Sequence, residues 1–363
     1  MVRHGGSRWC QVKGCGQGWA KSIDLVDTTQ GRPTTHRFKL CGGCADTVCK
    51  LRSLNDGASY SRRLEYARNA VQTSAANGKT RPFVFIRTYR RSICLHRRWT
   101  AKHLQSLGCD FFVLLAQGDL HMEAYLMGAI RLGILNCVLI GIIGASEVVT
   151  FAEKCLNAGQ HMVIFDDNIK GMYIGRGSGD KKKRQVALKS SWLRVFFAHA
   201  YKMLVKHKLR IWGVAVSPNP LSNRDAMCWQ DTHFSQSVKR GLLSPDFSKF
   251  MIYGAGFGIL KGGGSFAWSY GNLTDDFERS IRYVKKYRKS LTFPIIHLRK
   301  QVAAGGGDRQ AVAAQSVREG LRMSLDLLKD SLKNGRHHHP HEVMLLSRLS
   351  RRPIHRACQR WCC

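Results

Sequence analysis

From residue 83 onward, short apolar runs alternate with segments whose apolar residues recur at helical spacing. Phe83–Ile86, Phe111–Ala116, Cys137–Ile143 and Met162–Phe165 are the runs. Between them, Leu95, Trp99, His103 and Leu107 mark one helical face, and residues 121–133 and 145–157 carry two more. Strands of this length separated by helices predict βαβ units and a mostly parallel sheet. Further on, Val186, Leu193, Phe196, Phe197, Tyr201 and Leu204 predict an amphipathic helix over 186–208. Ile211–Val216 reads as a strand, Met251–Leu260 as a strand broken by glycines, and 274–289 and 310–334 as helices. The expected class is α/β, with one large domain over residues 83–334.

Residues 1–50 follow another pattern. They hold five cysteines and read as a separate small module. Cys10 and Cys15 form one pair and Cys41-Gly-Gly-Cys44 the second. Glycines inside such a loop let backbone N–H groups turn toward the thiolates, and four soft thiolates suit tetrahedral Zn2+. The first pair is more loosely spaced, so Cys49 or His36 are alternative ligands, and a redox pair or unligated thiols are the competing readings. Residues 51–82, with Arg62, Arg63 and Arg68, read as a basic linker and helix. The tail 335–363 reads as basic and disordered.

Charge narrows the choice of partner. The chain of 363 residues carries 58 Lys+Arg against 24 Asp+Glu, a formal charge of +34. Such a surplus implies a polyanion, with nucleic acid first, an anionic membrane surface second, and a generally basic lineage as the bland alternative. The start, Met1-Val2-Arg3-His4, lacks the pattern of a secretory signal, and the longest apolar stretch, Leu132–Gly144, is too short to span a bilayer. Cys94, Cys109, Cys137 and Cys155 stand singly in apolar segments, and the total of 13 cysteines is odd. Both features suit a reducing compartment. The expectation is a soluble intracellular protein, nuclear if DNA is its partner.

The chemistry gathers at strand ends. Asp166-Asp167-Asn168 follows Met162–Phe165 directly, and Phe83–Ile86 runs into Arg87-Thr88-Tyr89-Arg90-Arg91. In open α/β sheets ligands bind at the carboxyl ends of strands. Oxygen ligands there suit a hard cation such as Mn2+ or Mg2+, and arginines suit a diphosphate, which together point to a nucleotide-sugar site. The competing reading is a polar turn or helix cap. Asp275-Asp276 at an expected helix start offers a carboxylate base, although acids there also cap helices. Asp231 with His233 is a weaker candidate pair. Gly175–Arg184 is a basic glycine loop: a lid, a polyanion contact or a plain exposed loop. Trp268 and Tyr270 are candidates for stacking. Gly254-Ala-Gly256-Phe-Gly258 is only part of a dinucleotide fingerprint and sits among β-formers.

The order Phe85–Arg91, Glu123-Ala-Tyr125, Gly141-Ile-Ile-Gly144, Gly159 and Ile164–Ile169, then Asn219-Pro220, Thr274–Ser280 and Gly305–Arg309, resembles a GT-A glycosyltransferase. More narrowly it is similar to the family of the base J glucosyltransferases of kinetoplastids, whose relatives accompany DNA dioxygenases that hydroxylate bases. The resemblance covers roughly residues 83–330. It implies a GT-A-like nucleotide-sugar-binding fold. It places Arg87, Thr88, Arg90 and Asp166 at the donor, with Gly306, Gly307 and Arg309 near it. Asp166, Asp167 and Asn168 would stand for the metal motif, with Asn168 departing from the usual third acid. Asp276, or Asp275, would be the base. The implied activity is metal-dependent transfer of a hexose, glucose first, from a UDP-sugar to a hydroxymethyl base in DNA. The rivals are a transferase acting on protein or carbohydrate, and a non-catalytic zinc-containing nucleic-acid-binding protein on a decayed transferase scaffold.

Overall fold

The computed structural model describes residues 9–29, 32–76, 78–92, 99–175, 185–215, 254–262 and 289–300, together with Leu95, Phe247, Ile252, Arg279, Ser280, Tyr283, Lys286 and Tyr287. The chain first forms an antiparallel hairpin, β1 (Lys21–Asp27) and β2 (Thr34–Leu40). Helix α1 (Gly42–Asn55) follows, with Cys41 as its N-cap, and then α2 (Tyr60–Gln72), capped by the Ser59 hydroxyl. The 51–82 stretch is thus no plain linker. Arg68 and Gln72 of α2 donate to the carbonyls of Lys154 and Cys155 in the following domain.

The alternating pattern then plays out as expected. Strands β3 (Phe83–Thr88), β4 (Phe112–Leu115), β5 (Val138–Ile140) and β6 (His161–Asp166) are joined by α3 (Thr100–Ser106), α4 (Met122–Leu132) and α5 (Ala145–Lys154). All four strands run parallel, in the spatial order β5-β4-β3-β6. Their side chains are buried almost throughout, because helices cover them.

The sheet extends past β6 through segments that the sequence pattern shows poorly. β7 (Ile169–Gly175), β8 (Gln185–Ala187), α6 (Ser190–Lys206), β9 (Ile211–Ala215), β10 (Gly256–Leu260) and β11 (Leu291–Lys300) follow in chain order. The nine-stranded order is β5-β4-β3-β6-β10-β9-β11-β7-β8, and only β10 and β7 oppose the common direction. This is a mixed α/β fold with a mostly parallel central sheet. The helix expected from 186 begins later, at Ser190, because Val186 belongs to β8. The described residues Arg279, Ser280, Tyr283, Lys286 and Tyr287 are helical within the expected 274–289, whereas 310–334 and the tail lie outside the described residues.

Trp212 of β9 is fully buried and meets Phe196 and Phe293 edge-on at 5.2 and 6.1 Å. A Cβ on Gly258 would lie 2.2 Å from Trp212 Nε1, so that β10 position must be glycine. This packing, rather than a dinucleotide fingerprint, accounts for that glycine. Trp212 Nε1 donates to His161 Nε2 at 2.8 Å, and burial pushes the His161 imidazole down to about 3, so it stays a neutral acceptor.

The cysteine module is docked on this domain. Leu25, Leu40, Val48 and Leu51 are fully buried in the same apolar core as α4. Lys13 N–H donates to the Ile130 carbonyl at 3.1 Å, and Arg52 Nε to Glu123 at 2.7 Å. A boundary at residue 50 falls inside α1.

Candidate functional site

The strand order locates a crevice. The chain steps from β3 to one side for β4 and β5, then crosses to the other side for β6. Between β3 and β6 the connecting segments leave in opposite directions, which opens a cleft at their carboxyl ends. The segments Arg87–Arg91 and Asp166–Asn168 sit there.

Arg87 Nε donates to Asp166 Oδ1 at 2.9 Å, and its other nitrogens reach the carbonyls of Ala145 and Gly254 at 3.2 and 3.1 Å. Lys300, at the end of β11, donates to Asp166 Oδ2 at 2.7 Å. The Asp166 carboxylate therefore holds a cation on each oxygen. Burial alone would raise its pKa; Lys300 and Arg87 outweigh burial and hold the carboxyl well below the usual range.

Asp167 is buried beside it. The Thr88 hydroxyl donates to Asp167 Oδ2 at 2.6 Å, and Arg91 donates to Oδ1 at 3.2 Å. Since Thr88 gives its proton to Asp167, the Tyr125 hydroxyl, 2.8 Å away, donates to Thr88 and accepts from Arg91 N–H at 2.7 Å. Burial pushes the Asp167 carboxyl up despite Arg91 and Thr88. Thr100 ties the next turn, donating to the Asp166 carbonyl at 2.6 Å and accepting from Ile169 N–H at 2.8 Å. Asn168 is buried in that turn.

Arg90, expected at the donor, turns differently. Its φ is 51°, its N–H donates to Asp119 Oδ2 at 2.8 Å, and its guanidinium lies over the Tyr89 ring at 5.0 Å. Asp275, Asp276, Gly306, Gly307 and Arg309 lie outside the described residues, as do Asp231, His233, Trp268, Tyr270 and the loop 176–184.

Three cations, Arg87, Arg91 and Lys300, thus face two carboxylates. A divalent ion on Asp166 would displace Lys300 and stand beside Arg87. As arranged, Asp166, Asp167 and Asn168 do not fit Mn2+ or Mg2+. The surplus of positive charge fits an anion instead. Arg91, Tyr125 and Lys300 join the site without having been singled out from the sequence. Arg91 stood in the basic run after the first strand. Lys300 is 134 residues from its partner, and no local pattern signals it.

No protein-family model matches the chain, and no curated protein matches it. The function must be read from the residues themselves.

The second site is the cysteine cluster. The ligand atoms of Cys10, Cys15, Cys41 and Cys44 lie within 4.8 Å of one another. Cys15 Sγ is 3.7 Å from Cys41 Sγ and 3.8 Å from Cys44 Sγ. A tetrahedral zinc with bonds of about 2.3 Å separates its sulfurs by about 3.8 Å, so the spacing suits the ion. Local structure builds the site. The first pair lies on a turn closed by Cys10 N–H to the Gln17 carbonyl, and the second opens α1. The Cys44 N–H donates to Cys41 Sγ, the largest influence lowering the Cys41 thiol pKa. Neither Cys49 nor His36 belongs to the cluster. Among the described residues no helix is long and apolar enough to cross a membrane.

Proposed function

We propose that the chain is a glycosyltransferase that takes a hexose, glucose first, from a UDP-sugar bound in the β3–β6 crevice. The observation that carries this reading is the surplus of cations, Arg87, Arg91 and Lys300, around two carboxylates at the point where the strand order reverses. Transfer from a nucleoside diphosphate releases a strongly anionic leaving group, and fixed guanidinium and ammonium groups stabilise it as it departs. No step needs a metal. The sequence resemblance supports the same chemistry and adds Asp276 as the base that deprotonates the acceptor hydroxyl, with Gly306, Gly307 and Arg309 beside the donor.

The acceptor we propose is a hydroxymethyl base in DNA, which would place the protein in the nucleus. The support is the formal charge of +34. DNA affinity is expected to fall steeply with salt, by about 0.9 in log–log slope per phosphate neutralised. A flat dependence in a filter-binding titration would show that the charge serves something else.

The test is incubation with labelled sugar nucleotide and hydroxymethyl-containing or ordinary DNA, with and without chelator. Label is expected only on the modified DNA, and chelator present during the short assay should not stop transfer. Asp276→Asn is expected to keep donor binding and lose about a hundredfold in turnover, because it keeps shape but not basicity. If Asp275→Asn loses more, the aligned register is off by one residue.

One observation favours a second reading. Both Asp166 oxygens are occupied by Arg87 and Lys300, as in a scaffold that has left catalysis for nucleic-acid binding. Donor hydrolysis in the absence of acceptor separates the two, since a decayed scaffold would show none.

A further inference from the structure

We propose that the turn Gly141–Gly144 and the first turn of α5 form a phosphoryl-binding site that takes the diphosphate of the donor. The inference rests on the transferase reading above and adds the subsite for the leaving group.

Helix α5 starts at the carboxyl edge of the parallel strands, directly after β5 and a turn of sequence Gly-Ile-Ile-Gly. Its N-cap is Gly144, with φ of 112°, and no side chain caps it. The first N–H groups of a helix have no partner within the helix, and they carry the positive end of its dipole. Phosphate is the usual ligand of such an end when the approach is glycine-lined.

A helix end alone would not suffice, and two buried side chains point the same way. Ser146, in the first turn, is 4% exposed, and its hydroxyl has no hydrogen-bond partner among the described residues. With Val149 and Glu153 it shares the buried face of α5. Arg63 of α2 is 5% exposed. It donates through one terminal nitrogen to the Gly141 carbonyl, while its Nε has no partner. No carboxylate among the described residues pairs with this guanidinium. Buried charges are held in proteins by counter-ions, so an unpaired one beside a helix N-terminus marks the place of an anion. Glu147, the one acid in the first turn, is exposed.

Arg87 completes the arrangement. It donates to the Ala145 carbonyl at 3.2 Å while holding Asp166. Arg63 and Arg87 thus anchor the two ends of one segment, Gly141–Ala145. Two guanidinium groups, a hydroxyl and helix N–H groups match the many acceptor oxygens of two linked phosphoryl groups better than one carboxylate.

The experiment compares the full chain with Ser146→Asp and Arg63→Met by calorimetry and thermal shift, using inorganic pyrophosphate, UDP and UDP-glucose. The parent is expected to bind all three, and UDP more tightly than pyrophosphate. Each variant should lose at least tenfold in affinity for UDP and pyrophosphate. The melting temperature of each unliganded variant should hold or rise. Asp suits the helix dipole, and removing an unpaired buried cation relieves its desolvation. If Arg63 is merely structural, Arg63→Met will melt lower and still bind pyrophosphate, which overturns the inference. If both variants keep pyrophosphate and UDP-glucose affinity, the subsite is elsewhere and the transferase reading stands. If the parent binds pyrophosphate but gains nothing from uridine, the site serves an inorganic anion only. If the parent binds none of the three, both readings fall.

Discussion

Cys44→Ser is expected to strip the zinc from the protein and unfold the chain through Asn55, the end of α1. The hairpin and helix have little interior of their own, and four thiolates close the module at the base of α1. Structural zinc contributes about 10–16 kcal/mol in zinc-finger peptides at neutral pH, several times the stability of a small domain. The effect should spread, because Leu25, Leu40, Val48 and Leu51 share one core with α4. Loss of the module uncovers that helix and breaks the Arg52–Glu123 pair. Elemental analysis should find one zinc per native chain and none in the variant. Limited proteolysis should then cut between Trp9 and Asn55 while sparing β3 to β6. Freshly purified native protein without zinc would sink the idea.

The half of the sheet on the β3 side was legible because its strands are continuous apolar runs with helices between them. Phe83–Thr88 and His161–Asp166 are buried on both faces, and such strands show in sequence as blocks. The other half was hidden by its irregularities. β11 contains Pro294, which reads against a central strand because it has no N–H to donate. The strand tolerates it where the pairing with β9 shifts register between Phe293 and His297. β7 and β8 flank the basic glycine loop, whose composition masked the short strand Gln185–Ala187. The hairpin β1–β2 was masked by the cysteines around it.

The site shows the same division. The acids and arginines at the two strand ends were visible, because clustered polar residues directly after an apolar block can only lie at its edge. Their pairing was not. Arg87 is spent on Asp166, and Lys300 arrives from the far side of the sheet, a contact made by topology alone. Arg63 and Ser146 look ordinary in sequence, an arginine on a basic helix and a serine in a first turn. Burial alone distinguishes them.

Asp166→Ala is expected to cost about 3–5 kcal/mol of stability, the usual penalty for removing one partner of a buried ion pair. It leaves Arg87 and Lys300 facing each other with no carboxylate between them. Urea unfolding at neutral pH measures the loss. The pH dependence gives an independent check. The Asp166 carboxyl is depressed in the folded state, so its stabilisation is present above the ordinary carboxylate value of about 4 and is lost as pH falls below it. The Ala variant should therefore lose less stability on acidification than the parent. Asp167 works in the opposite sense. Burial raises its folded value, so its contribution declines as pH rises from about 4 through that higher value. With Asp166 gone, that decline should emerge in the variant. Donor affinity separates a cationic crevice from a metal centre. If Arg87 and Lys300 bind the diphosphate, removing the carboxylate that holds them should leave UDP affinity unchanged or higher, with or without chelator. If Asp166 instead carries a metal, the variant should lose UDP binding, and manganese should stabilise the parent but not the variant. The same substitution thus moves donor affinity in opposite directions under the two chemistries.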